Sequence, residues 1–271
     1  MQGRTGVIGI ELEKSGLDRF AKINSITKLQ PIFDFENHTI QHIIERMLES
    51  GHRRLPIVNK SNSLVGIVSL MDLLDSYLRK QDLQEKISTI MVRDVQYVDE
   101  NDLIGLILQK LKMSRRGGFP VTSKGKLVGM VGERDIVKHF DNVNFGIVVE
   151  DVMTKKPFFV HSHITILDAL RSMANSRYRR LPLVSDRKLV GIITALDILK
   201  YIRDNGYNFV SLMQPLKGIV IDEVLSIERK HEISDAIKLM KKKNIGGLPV
   251  TDSKGILEGF ITERDIVEII I

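Results

Sequence analysis

The sequence predicts an α/β protein built from four similar units, and three observations support this prediction. An apolar residue precedes a proline four times, a glycine follows nine or ten residues later, and an aspartate lies six residues beyond each glycine. The prolines are 64, 62 and 67 residues apart, which defines a repeating unit. Within each unit the apolar spacing alternates between that of strands and that of helices. The repeated positions are Pro56, Pro120, Pro182 and Pro249; Gly66, Gly129, Gly191 and Gly259; Asp72, Asp135, Asp197 and Asp265.

The elements of the third unit are predicted in the order strand, helix, strand, strand, helix. The apolar run 158–160 predicts the first strand, and apolar residues at helical spacing over 166–173 predict the first helix. Two β-rich runs, 181–184 and 189–193, are separated by the turn-forming SDRK. A second helix follows over 198–202. The other units repeat this pattern, so we expect four β-α-β-β-α repeats, each with a small sheet flanked by helices.

Alternate units resemble each other more closely than neighbours do. The odd units read RRLPIV and RRLPLV at the proline strand, whereas the even units read GGFPVT and GGLPVT and share the segment ERDIV. A lone unit of this size would bury only about 60% of its unfolded surface, so two units are expected to share a core. The sequence therefore predicts two modules, in which the first unit pairs with the second and the third with the fourth.

The unit boundaries follow from polar stretches between the repeats. Residues 1–22 match no repeat and are predicted to form an N-terminal extension. The repeats are predicted at 23–79, 85–140, 147–203 and 219–271, separated by stretches such as KQDLQEK and DNVNFG.

Composition narrows the function classes. Forty Lys and Arg against thirty-four Asp and Glu give a net charge of +6, which favours anionic partners. The chain has no cysteine, so thiolate metal ligation and disulfides are excluded. No apolar run is long enough for a signal peptide or a membrane span, and we expect a cytoplasmic protein without membrane partners. No P-loop, H-E-x-x-H or G-x-S-x-G motif occurs and the repeats fill the chain, so we expect no enzyme activity and no catalytic residue.

The clearest candidate site lies where the third strand of each unit runs into its second helix. Ser69, Thr194 and Thr262 stand there three residues before the repeated aspartate. Helix capping alone explains such a pair. Aspartate is a short side chain for the reciprocal bond of a capping box, however, so we favour a ligand site in which the helix N-terminus binds an anion and the carboxylate accepts from a sugar diol.

Basic residues recur just before the proline strand, and in the odd units they are the pairs Arg53-Arg54 and Arg179-Arg180. The even units place glycine pairs at this point, which leaves room for a ligand or a close backbone approach. A single basic pair would be interpreted as part of the solvent-exposed surface. Because the pairs recur at the same position in the repeat, we favour a shared role for them.

Taken together, the proline strand, the G-h-h-[ST]-x-x-D segment and the paired units resemble the cystathionine β-synthase (CBS) domain family. Four such units resemble the archaeal four-repeat CBS proteins and the gamma subunit of AMP-activated protein kinase. This resemblance implies two modules related as a pseudo-two-fold disc, with AMP, ADP, ATP or S-adenosylmethionine bound in clefts between repeats. It implies an energy-sensing or ligand-sensing regulator that signals to a partner protein not identifiable from the sequence, and it leaves room for a homodimer.

The resemblance also implies residue roles. Ribose would be bound by the repeated aspartates, which are Asp72, Asp135, Asp197 and Asp265. Phosphate would be bound by Ser69, Thr194, Thr262, Arg53, Arg54, Arg179 and Arg180, with Arg134 and Arg264 as weaker candidates. The second unit departs from the family pattern because Gly132 replaces the Ser or Thr. We therefore predict that the second module, with Asp197 and Asp265, fills most readily, that the Asp72 site follows, and that the Asp135 site fills last.

Three alternatives remain at this point: a nucleic-acid-binding regulator that uses the basic surface, an S-adenosylmethionine sensor, and a ligand-free scaffold whose aspartates only cap helices. Nucleic acid is disfavoured because the few aromatic residues are not interleaved with the basic clusters. His38 and His42 lie four residues apart near Asp34 and Glu36, an arrangement that suggests a metal site, and His161 and His163 lie two apart, as on one strand face. Without a third ligand at a recognisable spacing, we interpret both pairs as surface or packing residues and assign no metal.

Overall fold

The computed structural model describes residues 16–29, 31–114, 116–140, 143–220 and 224–270. Within these ranges the predicted order of elements is confirmed, with short extra elements between the repeats. Most of the predicted N-terminal extension, residues 1–15, lies outside the described residues. In the described part of the chain, no helix combines the length and the apolar character that crossing a bilayer requires.

The first module contains repeats 1 and 2, preceded by the short strand β1 (Lys28–Leu29). The elements of repeat 1 are β2 (Asp34–Phe35), α1 (Ile40–Ser50), β3 (Arg54–Val58), β4 (Leu64–Ser69) and α2 (Leu70–Leu78). The elements of repeat 2 are β5 (Val98–Asp99), α3 (Ile104–Met113), β6 (Gly118–Ser123), β7 (Lys126–Gly132) and α4 (Glu133–Val137).

The second module repeats this plan after α5 (Val149–Val152) and the short strand β8 (Thr154–Lys155). The elements of repeat 3 are β9 (Val160–His161), α6 (Ile166–Ser176), β10 (Arg180–Ser185), β11 (Lys188–Thr194) and α7 (Ala195–Asp204). The elements of repeat 4 are β12 (Ile227–Glu228), α8 (Ile233–Lys243), β13 (Gly247–Thr251), β14 (Leu257–Thr262) and α9 (Glu263–Ile270). The first strand of repeat 3 is thus later than predicted, since Phe158 and Phe159 precede β9 and are exposed.

Each repeat forms a small mixed sheet around an antiparallel hairpin. In repeat 1 the order is β2-β3-β4, with β2 parallel to β3 and β3 antiparallel to β4. Repeats 2 and 4 gain a fourth strand from the first residues of their partner repeat. β1 pairs with β7, and β8 pairs with β14. This strand exchange joins the two repeats of each module by backbone hydrogen bonds. The spacing of apolar residues in the sequence did not predict it.

Strand pairing joins repeat 1 with repeat 2 and repeat 3 with repeat 4, as predicted, but the expectation that the two repeats of a module share their core is wrong, because the buried cores lie between the modules. Isolated bridges join the two hairpins of each module at equivalent places, Ser63 to Lys126 and Lys188 to Ile256. The modules then join through helices. One buried core contains α1 and α2 of repeat 1 with α6 and α7 of repeat 3, and the other joins α3 and α4 with α8 and α9. These equivalent contacts relate the two modules by the expected pseudo-two-fold axis and bring their proline strands toward the centre of the disc.

Candidate functional site

In repeats 1, 3 and 4 the repeated aspartate closes a reciprocal cap at the start of the second helix. The Oδ2 atom of Asp72 accepts hydrogen bonds from the Ser69 backbone N–H at 2.8 Å and from the Ser69 hydroxyl at 2.7 Å. Thr194 with Asp197 and Thr262 with Asp265 make the same contacts. The expectation that aspartate is too short for this bond is therefore wrong. The extended backbone of the N-cap residue turns its N–H toward the first helical turn, within reach of the shorter side chain.

The same cap occurs outside the repeated phrase. Thr165 precedes α6, and its backbone N–H and hydroxyl donate to Oδ2 of Asp168 at 3.3 Å and 2.6 Å. This hydrogen bonding holds the pKa of Asp168 below its ordinary value. A capped aspartate is thus not by itself a sign of a ligand site. Only an aspartate that also lines a cavity is a candidate ligand-binding residue.

The hydroxyls of the N-cap residues are already engaged, so they do not make the four sites unequal in the way that the sequence indicated. A serine or threonine hydroxyl has one proton to donate. Ser69, Thr194 and Thr262 each give that proton to their own aspartate. In this arrangement they have no proton left for a phosphate, so the absence of a hydroxyl at Gly132 removes less from its site than the sequence indicated.

Steric crowding explains why residue 132 is a glycine. Its backbone is extended, with φ at −157°, and a Cβ atom there would lie 2.5 Å from the Gly117 carbonyl oxygen and 3.2 Å from the Gly118 Cα. The backbones of β6 and β7 approach too closely for a side chain at this end of the hairpin. The Gly132 N–H still donates to the Asp135 Oδ2 at 3.0 Å, so half of the cap remains.

We expect Gly132→Ala to destabilise the protein by about 1–3 kcal/mol, because the added methyl group forces a backbone shift. Gly218→Ala is the matched control, since a Cβ at that residue meets nothing within 4 Å and its φ is not positive. Urea unfolding of the two variants measures the difference. A loss in the Gly132 variant no larger than in the control would contradict the close approach.

Ion pairs between the even repeats cross the module boundary. The Nε atom of Arg134 lies 2.7 Å from Oε1 of Glu263, and Nη1 of Arg264 lies 3.3 Å from Oε1 of Glu133. Arg264 also donates to the backbone carbonyls of Leu111 and Ser114. The two arginines ranked as weaker phosphate candidates are therefore engaged in joining α4 to α9.

The four arginines of the odd repeats are placed differently. Arg53, Arg54, Arg179 and Arg180 are half-buried, and none of their side chains makes a hydrogen bond or a salt bridge to another described residue. Burial, with a contribution from neighbouring arginines and against the influence of Glu133 and Glu263, lowers the pKa of Arg53 and Arg54 to about 10 and that of Arg180 to about 9. Burial also raises the pKa of Glu133, against the influence of Arg264. Arg134 and Arg264 thus have carboxylate partners, whereas the side chains of the four odd-repeat arginines form no ion pair with a described carboxylate.

A cavity of about 510 Å³ opens onto this cluster from the cleft of the first module. This volume is typical of small-ligand sites, which run from about 300 to 1,000 Å³. Its walls come from the loop before β2, the end of α1, the β6–β7 hairpin, the start of α4, and single residues of the second module. The lining groups that bear on chemistry are Pro31, Ile32, Arg53, Arg54, Met130, Arg134, Asp135, Arg179 and Glu263.

The structure thus brings Asp135 together with Arg53, Arg54 and Arg179 around one cavity. The ranking that places the Asp135 site last stays a prediction, and the position of this cavity counts against it. Sequence reasoning did not identify Glu133 and Glu263 as partners of the arginines, although both begin the repeated ERDIV segment. It also missed Pro31 and Ile32, which precede the first helix pattern and carry no repeated signal.

The chain belongs to the CBS domain family. The family model matches four segments, residues 23–79, 87–142, 149–204 and 216–271. Together with the fold, these matches define a protein of four CBS repeats.

Among its relatives, the uncharacterized protein MJ1225 of Methanocaldococcus jannaschii is 26% identical over 92% of this chain and 99% of its own length. The crystal structure of MJ1225, described as a proposed archaeal homologue of g-AMPK, superposes with a TM-score of 0.85 at 25% identity over the same shares. An uncharacterized 33.4 kDa protein from the ribosomal RNA operon of Thermofilum pendens is 28% identical over 79% of each chain.

Proposed function

We propose that this protein is a regulatory sensor that binds an adenine nucleotide in the Asp135 cleft, with its phosphate on the central arginines. Three half-buried arginines, Arg53, Arg54 and Arg179, line a nucleotide-sized cavity, and none of their side chains has a salt-bridge partner among the described residues; this observation carries the proposal. Buried like charges destabilise each other unless an opposite charge joins them. A phosphate group supplies that charge and matches the planar donor geometry of arginine.

The remaining walls of the cavity suit the rest of a nucleotide. Pro31, Ile32 and Met130 provide an apolar surface for a base, and Asp135 provides carboxylate oxygens for ribose hydroxyls. The phosphate end reaches Arg179 of the other module. A bound nucleotide would therefore contact both modules and favour the arrangement in which both touch it. Occupancy could pass in this way to a partner protein or to a second copy of the chain.

The geometry favours a nucleotide over the other ligand classes. S-adenosylmethionine carries a positive sulfonium and lacks a phosphate, so it does not neutralise the arginine cluster. A DNA or RNA duplex cannot enter a cavity of this size to reach half-buried side chains. The proposed role is regulatory, and the equivalent aspartates Asp72, Asp197 and Asp265 are proposed as further ribose sites.

Isothermal titration calorimetry against AMP, ATP, adenosine, S-adenosylmethionine and a short DNA duplex tests the proposal. We expect AMP and ATP to bind more tightly than adenosine, with affinity falling as salt is raised. Equal affinity for AMP and adenosine would remove the role of the arginines. Binding of the duplex alone, with a steep salt dependence, would favour the nucleic-acid function instead.

We expect Asp135→Asn to weaken AMP binding about tenfold to a hundredfold, because a hydrogen bond to a charged group is worth roughly 1.5–3 kcal/mol. Asparagine keeps an oxygen that can accept from the Gly132 N–H, so the helix cap is largely preserved. Asp168→Asn is the matched control, since it changes a similar cap in α6 outside the cavity. Calorimetry should show normal AMP affinity in the control. Equal effects in both variants would mean that Asp135 only caps its helix.

A further inference from the structure

A buried carboxylate with two histidines stands at the first strand of repeat 1. Asp34, in β2, is 4% exposed. Its Oδ1 atom contacts the Nδ1 atom of His38, and its Oδ2 atom lies 3.1 Å from the Nε2 atom of His42. These three ligand atoms all lie within 4.8 Å of one another. His38 and His42 therefore have the third ligand that their spacing alone did not reveal.

The other repeats show what this position normally holds. The strand pairing aligns Asp34 with Val98 of repeat 2, Val160 of repeat 3 and Ile227 of repeat 4. These three residues are apolar and buried, with exposures of 1%, 6% and 6%. Repeat 1 thus replaces a core aliphatic side chain by a carboxylate, which costs free energy unless the charge is compensated.

Counting from the same alignment, His38 and His42 correspond to Asp102 and Leu106 in repeat 2, to Ile164 and Asp168 in repeat 3, and to His231 and Asp235 in repeat 4, where the strand residue is the apolar Ile227. The combination of one carboxylate and two imidazoles on adjoining elements is therefore peculiar to repeat 1. Two ordinary surface histidines would not require the buried aspartate between them.

We propose that Asp34, His38 and His42 form a binding site for a divalent transition-metal ion such as Zn²⁺. Two imidazole nitrogens and a carboxylate oxygen are the donor set that zinc and its neighbours prefer over magnesium or calcium. Ligand atoms about 2.0–2.2 Å from a tetrahedral ion lie a little over 3 Å apart, close to the spacing of Asp34 and His42. A small movement of the His38 ring away from the carboxylate completes the set.

The site is open on one side. The side chains of His38 and His42 are 38% and 49% exposed, and they border a cavity of about 460 Å³. Water can therefore occupy the remaining coordination position, as it does in three-ligand zinc sites. Glu45 lines the same cavity, but its Oε1 atom accepts a hydrogen bond from the Tyr207 hydroxyl at 2.5 Å. The site thus consists of three protein ligands and solvent.

Two experiments test the proposal. The untagged full chain is dialysed to equilibrium against Zn²⁺, and the bound metal is counted by mass spectrometry. The chain is also titrated with Co²⁺, and binding is followed by visible absorption. We expect one equivalent per chain and a Co²⁺ spectrum of four or five coordination. Asp34→Val and His42→Ala should weaken binding at least about a hundredfold, since loss of a ligand exceeds the tenfold to hundredfold effect of outer contacts.

Asp34→Val introduces the residue that repeats 2 and 3 already bury at this position, so the variant is expected to fold with a melting temperature in EDTA equal to or above that of the parent. The double variant His161→Ala/His163→Ala is the matched control and should bind the metal normally. Absence of stoichiometric Zn²⁺ in the parent, equal binding by Asp34→Val, or loss of binding in the control would each overturn the proposal.

Discussion

Replacing Arg54 by methionine is expected to lower AMP affinity about tenfold to a hundredfold while leaving adenosine affinity nearly unchanged. Only the phosphate interacts with the guanidinium, and a charge-assisted hydrogen bond is worth roughly 1.5–3 kcal/mol. The ligand-free variant should be as stable as the parent or more stable, because burial and the repulsion from Arg179 disfavour the charge of Arg54 more than Glu133 and Asp72 favour it. Calorimetry and thermal unfolding without ligand measure the two effects.

Opposite changes in affinity and stability distinguish a ligand site from a structural one. Arg171→Met serves as the control, because Arg171 is exposed on α6 and does not line the cavity. It should leave both quantities unchanged. If Arg54→Met destabilised the protein and weakened AMP and adenosine equally, Arg54 would hold the fold rather than the phosphate.

Leu199→Ala is expected to lower the free energy of unfolding by about 2–5 kcal/mol, the usual effect of an internal cavity. Leu199 is fully buried on α7, in the core that joins repeats 1 and 3. Because that core belongs to both modules, the whole chain should unfold in one transition that moves to lower urea. Circular dichroism and tyrosine fluorescence should report the same midpoint.

Val210→Ala is the control for this variant, since Val210 is 70% exposed. It should change stability by less than about 0.5 kcal/mol. Two separate transitions, of which only one moved in Leu199→Ala, would show that the modules unfold independently and would contradict the shared core.

The fold was largely predictable from the sequence because its signals are local and occur four times. The proline strand, the glycine of the hairpin and the apolar helix faces each appear in every repeat, so errors in one repeat are corrected by the others. The strands β1 and β8 were not predictable. Each has two residues and pairs with the sheet of another repeat, so backbone hydrogen bonds, rather than any side-chain pattern, define them.

The candidate site was predictable in its residue types but not in its arrangement. The repeated aspartates and the odd arginines stand out by recurrence. Arg134 and Arg264 pair with glutamates of the other module. These pairs depend on how the two modules pack together, and no local sequence pattern predicts that packing. The reach of aspartate to its own N-cap was misjudged because it depends on backbone angles. The triad at Asp34 was missed because it departs from the repeat instead of following it.

A crystal structure of the protein grown with AMP tests the central proposal most directly. We expect AMP in the Asp135 cleft, with ribose hydroxyls on the Asp135 carboxylate and the base against Ile32 and Met130. Phosphate oxygens should lie about 2.7–2.9 Å from guanidinium nitrogens of Arg53, Arg54 or Arg179. An Asp135 cleft that stays empty at saturating AMP, or a phosphate directed away from these arginines, would contradict it.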